Sequence, residues 1–151
     1  MPVVEIHEHI DSSPDQVWAL ISDIEKAPEW VTVMRELVST TDNPVREGTV
    51  YRERSKVGPG VSETKWHVTR CDAPHLQVHE CHEASMRAVL TMQVEPEGTG
   101  SSFLHRTEYQ MTPRFRPLGW VLEKLVVNRT MRQQLTATVQ QLAVLAQSRR
   151  H

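Results

Sequence analysis

Six strand-like segments follow one another between residues 33 and 111, with short connections between them. They read VMRELVSTT, GTVYRERSKV, SETKWHVTRC, HLQVHECHEA, MRAVLTMQVEP and SSFLHRTEYQM, and the turn sequences DNP, GPG, DAP and EGTG separate most of them. Connections this short join antiparallel neighbours, because parallel strands need a crossover of a dozen or more residues. The sequence therefore predicts an antiparallel meander, and the alternating segment VVEIHEHI at residues 3–10 adds a seventh strand.

The C-terminal segment predicts a long amphipathic helix over roughly residues 117–147, because neither Gly nor Pro occurs between Trp120 and Arg150. Its stripe, in steps of three and four, consists of Leu118, Val121, Leu125, Asn128, Arg132, Leu135, Val139, Leu142 and Ala146. The stripe is apolar except at Asn128 and Arg132. Burying such groups without partners costs several kcal/mol. These two side chains must therefore face either water or a cavity.

The segment SPDQVWALISDIEKAPEW at residues 13–30 predicts two short helices after the first strand. Ser13 is a candidate N-cap, Pro14 suits the first helical position, and Pro28 forces a break. A sheet of seven strands and one long helix can bury their apolar faces if the sheet curls around the helix. The sequence thus predicts an α+β fold.

Composition sets the class of protein. A chain of 151 residues that is 38% hydrophobic and 24% charged predicts one globular domain over residues 1–151. A net charge of −2 argues against nucleic acid as a partner. No apolar run approaches the ~18 residues of a membrane span, and the charged start MPVVEIHEHID does not resemble a signal peptide. With Cys71 and Cys81 as the two cysteines, these features predict a cytoplasmic protein.

Strand phasing predicts which side chains line the interior. Pairing Val68 with Val78 across the DAP turn keeps apolar residues on one face. That face then carries Trp66, Val68, Arg70, Leu76, Val78, Glu80 and His82, followed on the next two strands by Ala88, Leu90, Met92, Val94, Phe103, His105, Thr107, Tyr109 and Met111. Each polar residue among them has a structural explanation when taken alone. Together they predict a ligand site, since polar groups that converge in an apolar cavity are typical of one.

The opposite phase offers a competing hypothesis on the outer face. It aligns Lys65, His67, Cys71, His75, His79 and Cys81, which include the thiolate and imidazole groups that zinc prefers. Their spacing matches no zinc-binding pattern, so no metal or other cofactor is predicted. The sequence also contains no Gly-rich phosphate loop and no nucleophile elbow.

The segment from Ile10 to Trp30, in which PDQVWALISD gives the pattern P-x-x-V-W-x-x-I-x-D, resembles the opening of the START-related superfamily of helix-grip proteins. That superfamily includes the birch-pollen allergen type and bacterial polyketide cyclase/dehydrase-like proteins. The resemblance covers essentially the whole chain. It implies a curved seven-stranded antiparallel sheet around the C-terminal helix, two short helices after strand 1, and a deep, mostly apolar cavity.

Two further patterns resemble the bacterial aromatase/cyclases of aromatic polyketide synthesis. WHVTR supplies Trp66 and Arg70 at W-x-x-x-R spacing, and NRTMR supplies Asn128 and Arg132 at N-x-x-x-R spacing. The resemblance implies that the tryptophan, the arginine of the strand and the asparagine line the pocket. It also implies a role in antibiotic biosynthesis, with a poly-β-ketone intermediate as ligand and an acyl carrier protein as partner. Val68 stands where that family usually has a small hydroxyl residue.

The resulting hypothesis is an enzyme that promotes aldol ring closure and dehydration. Arg70 would anchor a carbonyl or enolate oxygen, Asn128 would orient the chain, and His105 or Tyr109 would transfer the proton. The other predicted ligand contacts are Trp66, Glu80, His82, Leu90, Met92, Phe103, Thr107, Leu122, Val126 and Arg132.

Two other hypotheses remain open from the sequence. The first is a non-catalytic carrier or sensor of a hydrophobic small molecule such as a lipid, a quinone or a polyketide. The second, ranked lowest, is a lipid- or quinone-binding relative, because APEW stands where those proteins have an aromatic segment of the YPEF type. Monomer and homodimer are equally compatible with the sequence.

Overall fold

Strands and helices follow the predicted order in the computed structural model. It describes residues 2–57, 60–84, 86–111 and 119–148, and of residues 57, 111 and 119–124 it describes the backbone alone. The elements are β1 Val3–Ile10, α1 Pro14–Ser22, a 3₁₀ helix Ile24–Glu29, β2 Met34–Thr40, β3 Val50–Val57, β4 Gly60–Asp72, β5 Leu76–His82, β6 Met86–Glu97, β7 Gly100–Met111 and α2 Gly119–Ser148. The predicted α+β class and the order of its elements are confirmed.

The start of α1 is fixed by local chemistry. The Ser13 hydroxyl accepts a hydrogen bond from the backbone N–H of Gln16 at 3.2 Å, and the Gln16 side chain accepts one from the backbone N–H of Ser13. This capping box satisfies two of the N–H groups that every helix start leaves without a partner. Pro14 follows at the first helical position, where its missing N–H has no cost.

The seven strands form one antiparallel sheet in the order β1-β7-β6-β5-β4-β3-β2. The two strands that flank the short helices, β1 and β2, therefore lie at opposite edges. At the β6–β7 turn, Gly98 adopts a positive φ of 60°, a region that favours glycine. Gly100 lies so close to the carbonyl oxygen of Ile10 that a Cβ there would collide with it. A larger residue at position 100 would push β1 away from β7.

Buried side chains from the helices and from the inner face of the sheet form two clusters. The apolar cluster consists of Ile10, Val17, Leu20, Ile21, Trp30, Met92, Val94, Phe103, Val139, Leu142 and Ala146. The mixed cluster consists of Val4, Ile24, Ala27, Met34, Val45, Tyr51, Trp66, Val68, Cys81, Ala88, Tyr109, Met131 and Leu135. The second half of α2 covers the apolar cluster, and its middle covers the mixed cluster.

The predicted stripe of α2 is correct in its second half and wrong at Leu125. Leu135, Val139, Leu142 and Ala146 are buried as expected. Leu125 is 62% exposed, and Met131 takes the buried position one turn before Leu135. Leu118 and the side chain of Val121 lie outside the described residues. No helix in the described ranges combines the length and the apolar character needed to cross a membrane.

Candidate functional site

A β-bulge between Val68 and Arg70 changes the predicted phase of the sheet. Val68 pairs with His79, and Arg70 pairs with Val78, so one extra residue is inserted into β4. Trp66 and Val68 remain on the inner face as predicted. Arg70 lies on the outer face, where its Nε donates to the Asp72 carboxylate at 2.7 Å. The prediction that Arg70 points into the interior is therefore wrong.

The same register reverses the faces of β5. Gln77, His79 and Cys81 are buried on the inner face. Glu80 and His82, which the sequence placed inside, lie on the outer face within 3.2 Å of each other, so both placements are wrong. The outer Cys/His hypothesis is also wrong in placing His79 and Cys81 outside. The described residues contain no group of three or more His, Cys, Asp or Glu side chains arranged to hold a metal ion.

The predicted phase of β6 and β7 agrees with the structure. Met92, Phe103, His105, Thr107 and Tyr109 are buried on the inner face, and Leu90 is partly buried there. Met92 and Phe103 lie in the apolar cluster. On the helix, Val126 is 61% exposed, so its predicted place in an apolar wall is wrong. The side chain of Leu122 lies outside the described residues.

A chain of buried hydrogen bonds crosses the inner face around His79. Its Nε2 donates to Oε1 of Gln77 at 3.0 Å, so Nδ1 is the unprotonated nitrogen that accepts from the Tyr51 hydroxyl at 2.7 Å. The Gln77 amide in turn donates to the Ser22 hydroxyl at 2.7 Å. Burial lowers the pKa of His79 to about 4. The imidazole is therefore neutral, and both of its nitrogens have partners.

His105 differs from His79 in its hydrogen bonding. It is 3% exposed, and its Nδ1 has no hydrogen-bond partner within the described part of the chain. Burial lowers its pKa to about 4, so this imidazole is also neutral. A buried polar atom without a partner costs free energy. It is therefore a candidate for bonding to a ligand.

Tyr109 connects the sheet to α2. Its hydroxyl donates to Oδ1 of Asn128. Arg132 lies one helical turn beyond Asn128, and its charge acts on Tyr109 by lowering its pKa, whereas burial, the larger effect, raises it. The side chains of Asn128 and Arg132 are both exposed. Asn128 and Arg132 are thus both accessible to water, and the hydrogen bond with Tyr109 joins Asn128 to the inner face of the sheet.

Glu53 is a buried acid that sequence analysis did not single out. It lies on the inner face of β3 and is 7% exposed. Burial raises its pKa to about 7, and the nearby Ser55 and Trp66 counter this only in part. The available signal was the alternation of VYRERSKV, in which a buried Tyr51 places Glu53 on the same face.

A sheet of seven antiparallel strands that grips a long C-terminal helix defines a helix-grip protein. Residues 1–147 match the family described as polyketide cyclase / dehydrase and lipid transport, so the chain belongs to that family. The predicted resemblance to START-related, polyketide cyclase-like proteins is confirmed, and the membership supports a helix-grip protein that binds a hydrophobic ligand. A comparison with curated protein sequences gives no significant match.

Solved structures share the fold at low sequence identity. TTHA0849 from Thermus thermophilus aligns with a TM-score of 0.81 at 19% identity, over 97% of this chain and 98% of that chain. A START superfamily protein from Mycobacterium smegmatis gives 0.76 at 10% identity, over 97% of both chains. A point mutant of norcoclaurine synthase from Thalictrum flavum, in complex with a transition state analogue, gives 0.70 at 18% identity, over 99% and 96%. Identities this low establish the shared fold alone.

Proposed function

We propose that the protein binds a hydrophobic, ketone-bearing molecule of the polyketide type against the mixed cluster and promotes its aldol ring closure and dehydration. The observation that carries this proposal is the hydrogen bond between Tyr109 of the sheet and Asn128 of α2, with Arg132 beside it. It brings polar donors from the helix to the inner face of the sheet. Family membership supports the hydrophobic ligand, and the proposed partner that delivers it is an acyl carrier protein.

The donor chemistry follows from the direction of that hydrogen bond. The Tyr109 hydroxyl donates its hydrogen bond to Oδ1 of Asn128. This fixes the orientation of the amide and leaves the Nδ2 hydrogens directed elsewhere. The Nδ2 group and the Arg132 guanidinium can then donate to a carbonyl oxygen. Aldol closure develops negative charge on such an oxygen as the enolate forms, and preorganised donors stabilise it. In this proposal Asn128 and Arg132 take the role that the sequence gave to Arg70.

The inner face also sets the size of the ligand. Tyr109 and His105 lie on the same face of β7, four residues apart, which is about 13 Å along a strand. Leu90 of β6 lies directly opposite Thr107, between them. A ligand that reaches from Asn128 to the unpartnered Nδ1 of His105 is therefore as long as several fused rings.

The test is the product profile of a reconstituted minimal ketosynthase and acyl carrier protein. It compares no added protein, the wild type, Asn128→Asp and Arg70→Ala. Asn128→Asp keeps the shape but removes both amide hydrogens, so ring closure should slow by about a hundredfold to a thousandfold. Arg70→Ala is the matched control, since Arg70 lies on the outer face with Asp72. Its product profile should equal that of the wild type.

The second candidate function is a non-catalytic carrier or sensor. The outward position of Arg70 favours it, because this removes a charged donor that catalysis was expected to use. A carrier predicts that Asn128→Asp weakens ligand binding without changing the ring pattern. If the wild type and the no-protein control yield the same rings, the cyclase proposal fails and the carrier takes its place.

A further inference from the structure

Glu53 is buried without a cation from the described residues beside it. It lies on the inner face of β3 at 7% exposure, and no Lys, Arg or His among the described residues reaches it within ion-pair distance. Its neighbours Arg52 and Arg54 point to the opposite face, where both reach Glu63 of β4. Burial of an unpaired carboxylate is unfavourable. Stability alone would favour an apolar residue at this position.

The surroundings of Glu53 are those of a ligand-facing group. Directly opposite it on β4 is Thr64, whose hydroxyl accepts from the indole N–H of Trp66 at 3.1 Å. The Trp66 ring lies parallel to that of Tyr51, with centroids 6.4 Å apart. A flat aromatic surface thus adjoins the carboxyl group within the mixed cluster. Such a surface suits a planar, conjugated molecule.

Glu53 is also near one end of the sheet. The connections β3–β4, β5–β6 and β7–α2 all leave the sheet at this end, because the strands alternate in direction. Tyr109, two residues before the end of β7, lies toward the same end. Both residues therefore lie on the inner face toward the same end of the sheet, with β4, β5 and β6 between them.

We propose that Glu53 is the proton-transfer residue of the dehydration step, an inference that rests on the proposed function. Its carboxylate takes the proton from the carbon next to the ketone, and the electron pair left behind is held as the enolate. As the carbon–carbon double bond forms, the carbon–oxygen bond to the hydroxyl breaks. The protonated Glu53 returns the same proton to the departing hydroxyl, which leaves as water. The carboxylate is regenerated, and no oxidant or reductant is needed.

The acid–base properties of the inner face support this assignment. Burial raises the pKa of Glu53 to about 7, so both of its forms are populated near neutral pH, as a proton-transfer group requires. Burial lowers the pKa of His105 to about 4, which makes it a weak base. The titratable groups that act on or respond to Glu53 are Tyr51 and Cys81, and burial raises the pKa of both, so they remain neutral.

The experiment uses the same reconstituted system and measures the ratio of dehydrated to hydroxylated rings. We expect Glu53→Gln to close rings at the wild-type rate but to lose water more slowly, by about a hundredfold to ten-thousandfold. In the wild type, the dehydration rate should rise with pH around pH 7, because Glu53 then becomes a carboxylate. In Glu53→Gln this rise should vanish. Glu53→Asp keeps the acid and should restore part of the rate. Glu63→Gln is the matched control on the outer face and should behave as the wild type.

Each outcome bears on the proposal. If Glu53→Gln dehydrates at the wild-type rate while the wild type still directs ring closure, this inference falls and the proposed function stands. If the wild type gives the same rings as no protein, both fall. Carboxyl ¹³C NMR of the wild type gives a second measurement that needs no substrate. A Glu53 titration midpoint near pH 7 supports the assignment, and one below pH 5 overturns it.

Discussion

The apolar cluster and the mixed cluster lie under the same helix but differ in chemistry. The apolar cluster joins α1, β6, β7 and the end of α2 through side chains such as Phe103 and Leu142, both fully buried. The mixed cluster is interspersed with buried polar side chains, among them Glu53 and His79. Apolar burial stabilises in proportion to the area removed from water, whereas each buried polar group needs a partner. The first cluster is therefore built for stability, whereas the second holds buried polar groups, of which His79 is satisfied by hydrogen bonds and Glu53 has no cation beside it among the described residues.

The largest effect on stability is expected from the apolar cluster. Leu142→Ala leaves a cavity where nothing can relax into it easily, and should lower the free energy of unfolding by about 2–5 kcal/mol. Urea denaturation measures it. Val144→Ala, two residues away and 59% exposed, is the control and should change stability by less than about 0.5 kcal/mol. Equal effects of the two substitutions would mean that Leu142 is not part of a tightly packed core.

The two buried histidines, His79 and His105, should differ in how much they contribute to the free energy of unfolding. His79→Leu leaves the Tyr51 hydroxyl and the Gln77 amide oxygen buried without their partner. Each group left unpaired costs about 1–3 kcal/mol. His105→Leu breaks no hydrogen bond between Nδ1 and a described residue and should leave the free energy of unfolding unchanged or raise it. Thermal unfolding of both variants checks this, and a large loss for His105→Leu would mean that His105 is as structural as His79.

The pH dependence of stability follows from three buried groups. Burial lowers the pKa of His79 and His105 from 6.5 to about 4. The folded protein therefore binds fewer protons at these two residues, and the stability they contribute above pH 6.5 is lost as the pH falls toward 4. Burial raises the pKa of Glu53 from 4.5 to about 7. Its contribution has the opposite sign and is lost as the pH rises through 7.

The effect of His79 and His105 thus opposes that of Glu53, and the unfolded protein binds about one more proton than the folded protein over this pH range. The free energy of unfolding should rise by roughly 1.4 kcal/mol per pH unit between about pH 4.5 and 6.5 and level off near pH 7. In Glu53→Gln the opposing contribution is gone, so the slope should be about twice as steep. Urea denaturation at a series of pH values measures both slopes. A stability that falls over this range in the wild type would contradict the assignment of neutral, buried histidines.

The sequence predicted one half of the inner face well because its pattern there is regular. In β6, the alternate residues Ala88, Leu90, Met92 and Val94 are all apolar up to the EGTG turn, and this short turn sets the pairing of β6 with β7, including Met92 with His105. In β4 and β5, apolar matching suggested Val68 opposite Val78. The bulge after Val68 moves this partner to His79 and turns Arg70 outward. No residue type in β4 indicates the bulge, yet the one inserted residue exchanges the inner and outer faces of β5.

The helix shows a related limit. Periodicity predicted α2 over roughly residues 117–147, and the described span is Gly119–Ser148, while residues 117 and 118 lie outside the described residues. It did not decide which of two apolar stripes the first half would bury. Leu125 and Met131 were both available, and tertiary packing buries Met131. Glu53 was missed for a different reason, since a charged residue between two arginines reads as part of a solvated strand.

The strand order has a consequence for the assembly of the chain. The first strand pairs with the last, Val3 opposite Glu108, and the Ser12 hydroxyl donates to the carbonyl of Ala146. Strands β2 to β7 can pair one after another as they are synthesised. Strand β1 can pair only once its partner β7 has been synthesised. Contacts so distant in sequence form slowly, because a long loop must close first. Until then β7 presents an open edge, and that edge is where two growing copies would join by mistake.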